Sequence, residues 1–172
     1  MRSKGYTLFD VSGPHPIPVE KLVRANQVRR GCPEFWARYP DLKDKRGCYL
    51  FAMRAGRGFV PVYVGKATKS FGQECFSLHK TGTHYNRALA DRQRGTPTMF
   101  FLVAQQKRGR TNSKSIEDLE TTLIRWAREK NHELSNKAKR GVYTWGINGV
   151  EGGKPGKPTR DAATFRKVIG YD

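Results

Sequence analysis

Two apolar, aromatic-rich runs, GCYLFAM (47–53) and FVPVYVG (59–65), flank a short basic segment with two glycines, RAGRG (54–58). No other feature constrains the fold so tightly. Runs of strand length, rich in β-branched and aromatic residues and joined by a glycine-containing turn, predict a β-hairpin. With the turn centred near Gly56, Tyr49 and Tyr63 come opposite one another on one face. Pro61 has no N–H to give to a ladder, so the second strand lies at a sheet edge or carries a bulge. TMFFLVA (98–104) reads as a third, buried strand. Between hairpin and third strand, SFGQECFSLHK (70–80) and THYNRALADRQR (83–94) read as two short helices.

The next helix is defined by Ile116, Leu119, Leu123, Ile124, Trp126 and Ala127, which recur at helical spacing. Ser115, with Asp118 three residues on, predicts its start in the manner of a capping box. At roughly 100° per residue, Glu120 falls among Leu119, Leu123, Ile124 and Ala127, on the apolar face, whereas Glu117, Asp118 and Glu129 fall on the polar side. A carboxylate taken out of water is costly unless something compensates it. Glu120 therefore calls for a metal ion, a bound water network or a basic partner, and a plain ion pair with a neighbouring Lys or Arg is the simplest of these. Near the front, Pro18, VEKLVRANQVRR (19–30) and Gly31 carry helix start and stop signals in order. Near the end, GVEGGKPGKP (149–158) reads as a tether and TRDAATFRKVIG (159–170) as a helix opened by Thr159 or Thr164 and closed by Gly170.

Charge narrows the partners. Lys and Arg number 33 against 15 Asp and Glu, a formal net charge of +18, while a hydrophobic content of 37% excludes a disordered basic tail. Between Gly47 and Ala104 the acids are Glu74 and Asp91, set against Arg54, Arg57, Lys66, Lys69, Lys80, Arg87, Arg92 and Arg94. Further basic clusters lie at Lys107/Arg108/Arg110/Lys114 and at Lys137/Lys139/Arg140. Such an excess predicts a polyanionic partner, nucleic acid above all. Membrane binding is not expected, since no basic amphipathic helix with a wide apolar face and no spanning run is present. With no signal-like run near the start, an intracellular protein is expected, cytoplasmic or nucleoid-associated and not secreted. Cys32, Cys48 and Cys75 form no paired motif, which points to a reducing compartment and away from structural zinc. Neither a phosphate-cradling glycine loop nor a Gly-x-Ser-x-Gly elbow occurs. Trp36, Tyr39, Tyr143 and Trp145 sit among basic residues, placed to stack on bases or, more plainly, to pack the flanks against the core.

GCY at 47–49, YVG at 63–65, the turn between them, Glu120 on its helix and the asparagine after it together resemble a GIY-YIG nuclease domain. The likeness covers roughly residues 47–138, a little over half of the chain. Gly47-Cys48-Tyr49 and Tyr63-Val64-Gly65 fill the two motif slots, and Lys66 follows the second as it often does in that family. LETTLIRWAREKNHELSNKA (119–138) resembles the family's glutamate helix and the asparagine beyond it, which places Glu120 and Asn136. CFSLH (75–79) resembles the helix after YIG, with His79 in the histidine slot and Cys75 where an arginine is usual. A thiol cannot make the charged, bidentate contacts of a guanidinium. Lys80 and Arg87 are the candidate replacements, Arg87 slightly preferred.

The resemblance implies an α+β fold (an α/β sandwich) with a small three-stranded antiparallel sheet flanked by helices. The core spans 47–140, with an N-terminal, helix-bearing extension at 1–46 and a C-terminal one at 141–172 holding the tether and a short helix. It further implies a divalent-metal-dependent endonuclease, DNA favoured over RNA, acting as monomer or homodimer. A single Mg²⁺ or Mn²⁺ would sit on Glu120. Tyr49 would be the general base or orient the water, and Tyr63 would hold water or phosphate. His79 would sit near Tyr49 as proton acceptor or hydrogen-bond partner. Lys66, Lys80, His84 and Arg87 would contact phosphate, Gly47 and Gly65 would shape the strands, and Asn136 would tie down the loop after the helix. The alternatives are a degenerate module of that fold that binds DNA or RNA without cutting, and a basic structural component of a nucleoprotein assembly in which Glu120 merely pairs with a cation.

Overall fold

The hairpin at the middle of the chain forms as strands β4 (Gly47–Ala55) and β5 (Gly58–Ala67), and it seeds a larger sheet than the sequence suggests. A computed structural model describes residues 6–23, 25–92, 94–105, 112–136, 145–154 and 156–171. Strand β1 (Thr7–Pro16) comes first, then a two-stranded ribbon, β2 (Glu20–Lys21) and β3 (Asn26–Gln27), and the short helices α1 (Pro33–Arg38) and α2 (Pro40–Lys43). After the hairpin come α3 (Phe71–Glu74), a π-helical turn (Lys80–Tyr85) continuing into α4 (Asn86–Asp91), and β6 (Thr96–Ala104). Helix α5 (Ser113–Lys130), strand β7 (Trp145–Ile147) and helix α6 (Arg160–Ile169) complete the order.

The expected small three-stranded sheet is replaced by a mixed five-stranded sheet, ordered β5-β4-β6-β1-β7, with the β2–β3 ribbon separate. β1 runs antiparallel to β6 and parallel to β7. Segment 7–16 conceals its strand behind Gly13, Pro14 and Pro16, which read as loop; an irregularity between Ser12 and His15 absorbs the glycine and first proline and lets the ladder resume. β7, three residues long, is too short for any period to show.

The helix expected over 19–30 is also absent: β2 and β3 occupy this stretch. Only Val28 of its apolar residues is buried, with its N–H and C=O held by the Asn86 amide at 2.7 and 3.3 Å, while Leu22 and Val23 lie exposed. A helix there would have had no surface against which to bury its stripe. α5 begins before Ser115, which is buried inside it; Asn112 is the cap, its side chain accepting from Lys114 N–H at 3.1 Å. α6 is capped by Thr159, accepting from Ala162 N–H at 3.2 Å, and stops at Gly170.

Both faces of the sheet are covered. α5 and α6 bury Cys48, Leu50, Val64, Phe100 and Leu102 on one face; the other packs Tyr49, Phe51, Tyr63 and Phe101 against Phe35, Phe71, Phe76 and Tyr85. Tyr49 and Tyr63 share that second face but are not opposite one another. The turn centres between Gly56 and Arg57, and a bulge at Val62, beside Pro61 on the edge strand, shifts the register, so Tyr49 pairs with Gly65 and Tyr63 with Phe51. The two rings are diagonal neighbours, 6.3 Å apart. Two motif glycines are fixed by contact: a Cβ at Gly65 would run into the Tyr49 ring, and one at Gly47, whose φ is 147°, would run into the Leu102 carbonyl.

A candidate active site at the edge of the sheet

Among the described residues no strand lies beyond β5, and its outer edge is satisfied by the chain leaving α5. Asn131 Nδ2 donates to Pro61 O at 2.7 Å, and Ser135 N–H donates to Val62 O at 3.0 Å. The Asn136 amide accepts from Val64 N–H and donates to Val64 O, both at 2.7 Å, so one side chain imitates a paired strand residue. This ties the post-helix loop to the YVG strand.

Tyr63, on the inner side of that edge, faces the π-turn. Lys80 Nζ donates to its hydroxyl at 2.5 Å, and the His84 ring stacks on it with centroids 4.1 Å apart. The wide π-turn turns both Lys80 and His84 toward Tyr63, a local irregularity of the kind found at functional sites. His84 Nδ1 and Ser135 Oγ share a hydrogen bond of 2.5 Å, and the exposed His79 meets the His84 ring edge-on at 5.2 Å. Burial, then the charges of His79 and Lys80, pull the His84 pKa down to about 4, so its ring is neutral at pH 7. Beside this cluster opens a cleft of about 510 Å³, lined among others by His84, Arg87, Arg92 and Asn131. Arg87 is exposed there and pairs with Asp91 at 3.9 Å.

Tyr49 behaves differently. It is wholly buried, its hydroxyl has no hydrogen bond among the described residues, and burial, reinforced by Tyr85, Cys75, Tyr63 and Glu74, pushes its pKa well up. Tyr85 spends its own proton on the Cys75 carbonyl at 2.7 Å. Cys75 is a sealed core residue whose thiol is pushed up by burial. The cation that reaches a motif tyrosine is Lys80; Arg87, the replacement slightly preferred from sequence, stands at the cleft without touching one.

Glu120 sits on the other face of the sheet, 12% exposed, with a carboxylate oxygen 3.2 Å from Lys66 Nζ. Glu117 reaches the same ammonium at 3.6 Å. Burial works against the charge on Lys66, but the two glutamates outweigh it and raise its pKa. Cys48 lies alongside, its thiol donating to Ile116 O at 3.2 Å and pushed well up by burial and then by Glu120. The expected set therefore divides in two: Tyr63, Lys80, His84 and His79 on one side of β5, and Lys66 with Glu120 on the other. They can meet only around the loop-covered outer edge or the end of that strand.

As for a metal, no group of three or more metal-ligating side chains occurs among the described residues. A cation here would have Glu120 and Glu117 as its carboxylates, both now turned on the Lys66 ammonium, with waters and phosphate oxygens as the remaining hard ligands.

Trp36 and Trp145 are buried and Tyr39 packs on Phe35 and His15 at 4.9 and 4.3 Å, so all three serve the core. Lys114 pairs with Asp118 at 3.6 Å; Lys107, Arg108, Arg110, Lys137, Lys139, Arg140 and Tyr143 lie outside the described residues. Ser135 and Asn131 carry little signal in the sequence beyond the short polar residues Asn131, Ser135 and Asn136, interrupted by His132, Glu133 and Leu134. Among the described residues no helix is long and apolar enough to cross a membrane. No protein-family model, no curated protein and no solved structure matches the chain.

Proposed function

We propose that the chain is a nucleic-acid endonuclease of the GIY-YIG type, hydrolysing phosphodiester bonds with one divalent metal, DNA ahead of RNA. The observation that carries this reading is Lys80 Nζ on the Tyr63 hydroxyl, beside an open cleft lined by Arg87 and Arg92 and also by Asp91 and Glu133. It supplies a positive charge at the YVG tyrosine, where the missing arginine leaves a need for one. Tyr63, held by Lys80 and stacked on by His84, is placed to orient a water or a phosphate oxygen, and the Lys80 ammonium to stabilise charge developing on phosphate. Neutral His84 is fitted to accept a hydrogen bond, while a pKa of about 4 makes it too weak a base to hold a proton near pH 7. Tyr49, sealed under Gly65, is assigned to shaping the site rather than to proton transfer. Glu120 would hold the Mg²⁺ or Mn²⁺, which when bound polarises the scissile phosphate and stabilises the leaving oxygen. On this reading the protein works inside the cell, as monomer or homodimer.

One observation favours a second reading. Lys66 already neutralises Glu120, on the face away from both tyrosines, as expected for a module that binds nucleic acid without cutting.

The deciding experiment incubates pooled duplex DNA, single-stranded DNA and RNA with the protein and Mg²⁺ or Mn²⁺, with Glu120→Gln and Lys80→Met in parallel. The nuclease reading expects metal-dependent cutting that falls on the order of a hundredfold or more in each variant, with binding nearly intact. Salt-sensitive binding without cutting selects the second reading, and absence of binding removes both.

A further inference from the structure

A basic groove lies away from Tyr63, between the hairpin turn and the C-terminal helix. Arg57, Lys130, Arg160 and Lys167 surround a cleft of about 480 Å³ floored in part by Phe59 and Val168, and no acid lines it. All four cations are exposed and none has an acidic partner among the described residues. An adjoining hollow adds Arg54, stacked 5.9 Å over Phe59, although it also contains Asp161, which accepts from Gly13 N–H at 2.9 Å. A fold that brings four unpaired cations from three separated segments to one groove meets a repulsion that a bound polyanion would relieve.

The groove and the cleft beside His84 open on opposite faces of β5 and are separated by its outer edge. Lys130 lines the first and Asn131, the next residue, lines the second. On β5, Phe59 lines the first and Val62 the second, a separation of about 10 Å at about 3.3 Å per residue. A backbone that rounds the β5 edge can therefore lay neighbouring phosphates on its two sides.

We infer that the Arg57/Lys130/Arg160/Lys167 groove is a second nucleic-acid contact, which holds the phosphate backbone of a duplex whose neighbouring phosphates enter the cleft beside His84. It rests on the nucleic-acid part of the function proposed above and not on cleavage. Its contribution is independent of base sequence and is read in the salt dependence of binding.

The test measures binding of a fluorescein-labelled duplex of about 30 base pairs, in EDTA so that nothing is cut, across a salt series. Arg57→Ala/Arg160→Ala/Lys167→Ala is compared with Lys21→Ala/Arg30→Ala/Lys45→Ala, an equal loss of exposed charge elsewhere. The groove variant should lose at least about tenfold in affinity near 0.1 M salt and about two to three units of log–log salt slope, at roughly 0.9 per phosphate contact; the control should stay within about threefold. Arg57→Ala alone, an exposed turn position outside α6, should lose about one unit of slope. Equal losses in both triple variants, or none in the groove variant, overturn the inference. So does loss of binding to phosphatidylserine vesicles with duplex binding unchanged, which would make the groove a membrane contact. If the wild type binds through the groove but never cuts, the nuclease reading falls and the groove stands; if it does not bind, both fall.

Discussion

Tyr49 and Tyr63 are the same side chain on the same face of one hairpin, and their surroundings give them opposite characters. The Tyr63 hydroxyl receives a hydrogen bond from Lys80, whereas that of Tyr49 is buried and unpaired among the described residues. An unpaired buried hydroxyl costs stability, so Tyr49→Phe should leave thermal stability unchanged or raise it by about 1 kcal/mol. A loss of more than about 1 kcal/mol in a denaturation curve would show that the hydroxyl is bonded. His84 gives the residue scale its pH dependence. Its folded pKa, about 4, lies below its ordinary value of 6.5, so between those values the unfolded chain binds more protons. Stability contributed by neutral His84 is fully present above about 6.5 and is lost as pH falls toward about 4. Melting temperatures across that window should drop less in His84→Gln than in the wild type. His15, also lowered by burial, adds the same sign to both proteins and cancels in the comparison.

At the scale of elements, the free edge of β5 is the structure's most exposed commitment, and Asn136 closes it with two hydrogen bonds to Val64. Asn136→Ala removes both and leaves a backbone N–H and C=O to find water, a cost of about 1–3 kcal/mol. Native-state hydrogen exchange should show the Val64 amide opening faster in the variant; unchanged protection would mean that the loop is held by Asn131 and Ser135 alone. The elements that carried a strong period were legible in the sequence: the 47–67 hairpin, the β6 run and the apolar stripe of α5, together with the placement of Glu120 near that stripe. Where the reading missed, local signals competed with long-range contacts. Pro18 to Gly31 carries helix punctuation, yet only Val28 finds a core, so the tertiary surface decides against the helix. Ser115 looked like a cap but is buried, because Asn112 takes the first turn. The bulge at Val62 was half visible in Pro61, but its register consequence, Tyr49 over Gly65 rather than facing Tyr63, depends on exact turn placement. That Glu120 meets Lys66 rather than a tyrosine is set by which face α5 covers, and helical spacing alone does not encode it.

For the whole molecule, the flanks complete the sheet. β1 lies between β6 and β7, and neither pairing has a local signal in a segment broken by glycine and proline. α6 packs on the sheet: Ala162 is buried, Phe165, Val168 and Ile169 lie in a core shared with Phe9 and Phe100, and Asp161 accepts the Gly13 N–H. Burying Phe165, Val168 and Ile169 is worth about 1.5–3 kcal/mol each, or roughly 5–9 kcal/mol together. That is as large as the whole net stability of an ordinary domain, about 5–15 kcal/mol. Truncation after Lys157 should therefore abolish cooperative thermal unfolding, rather than release an independent tail and leave 47–140 intact. Circular dichroism of the truncated chain should show a broad, shallow melt, with amide protection lost in β1 and β6 as well as at the new end. A sharp transition within a few degrees of the full chain would instead make α6 dispensable to the core. The groove it forms with Arg57 and Lys130 would then have to be explained by binding alone.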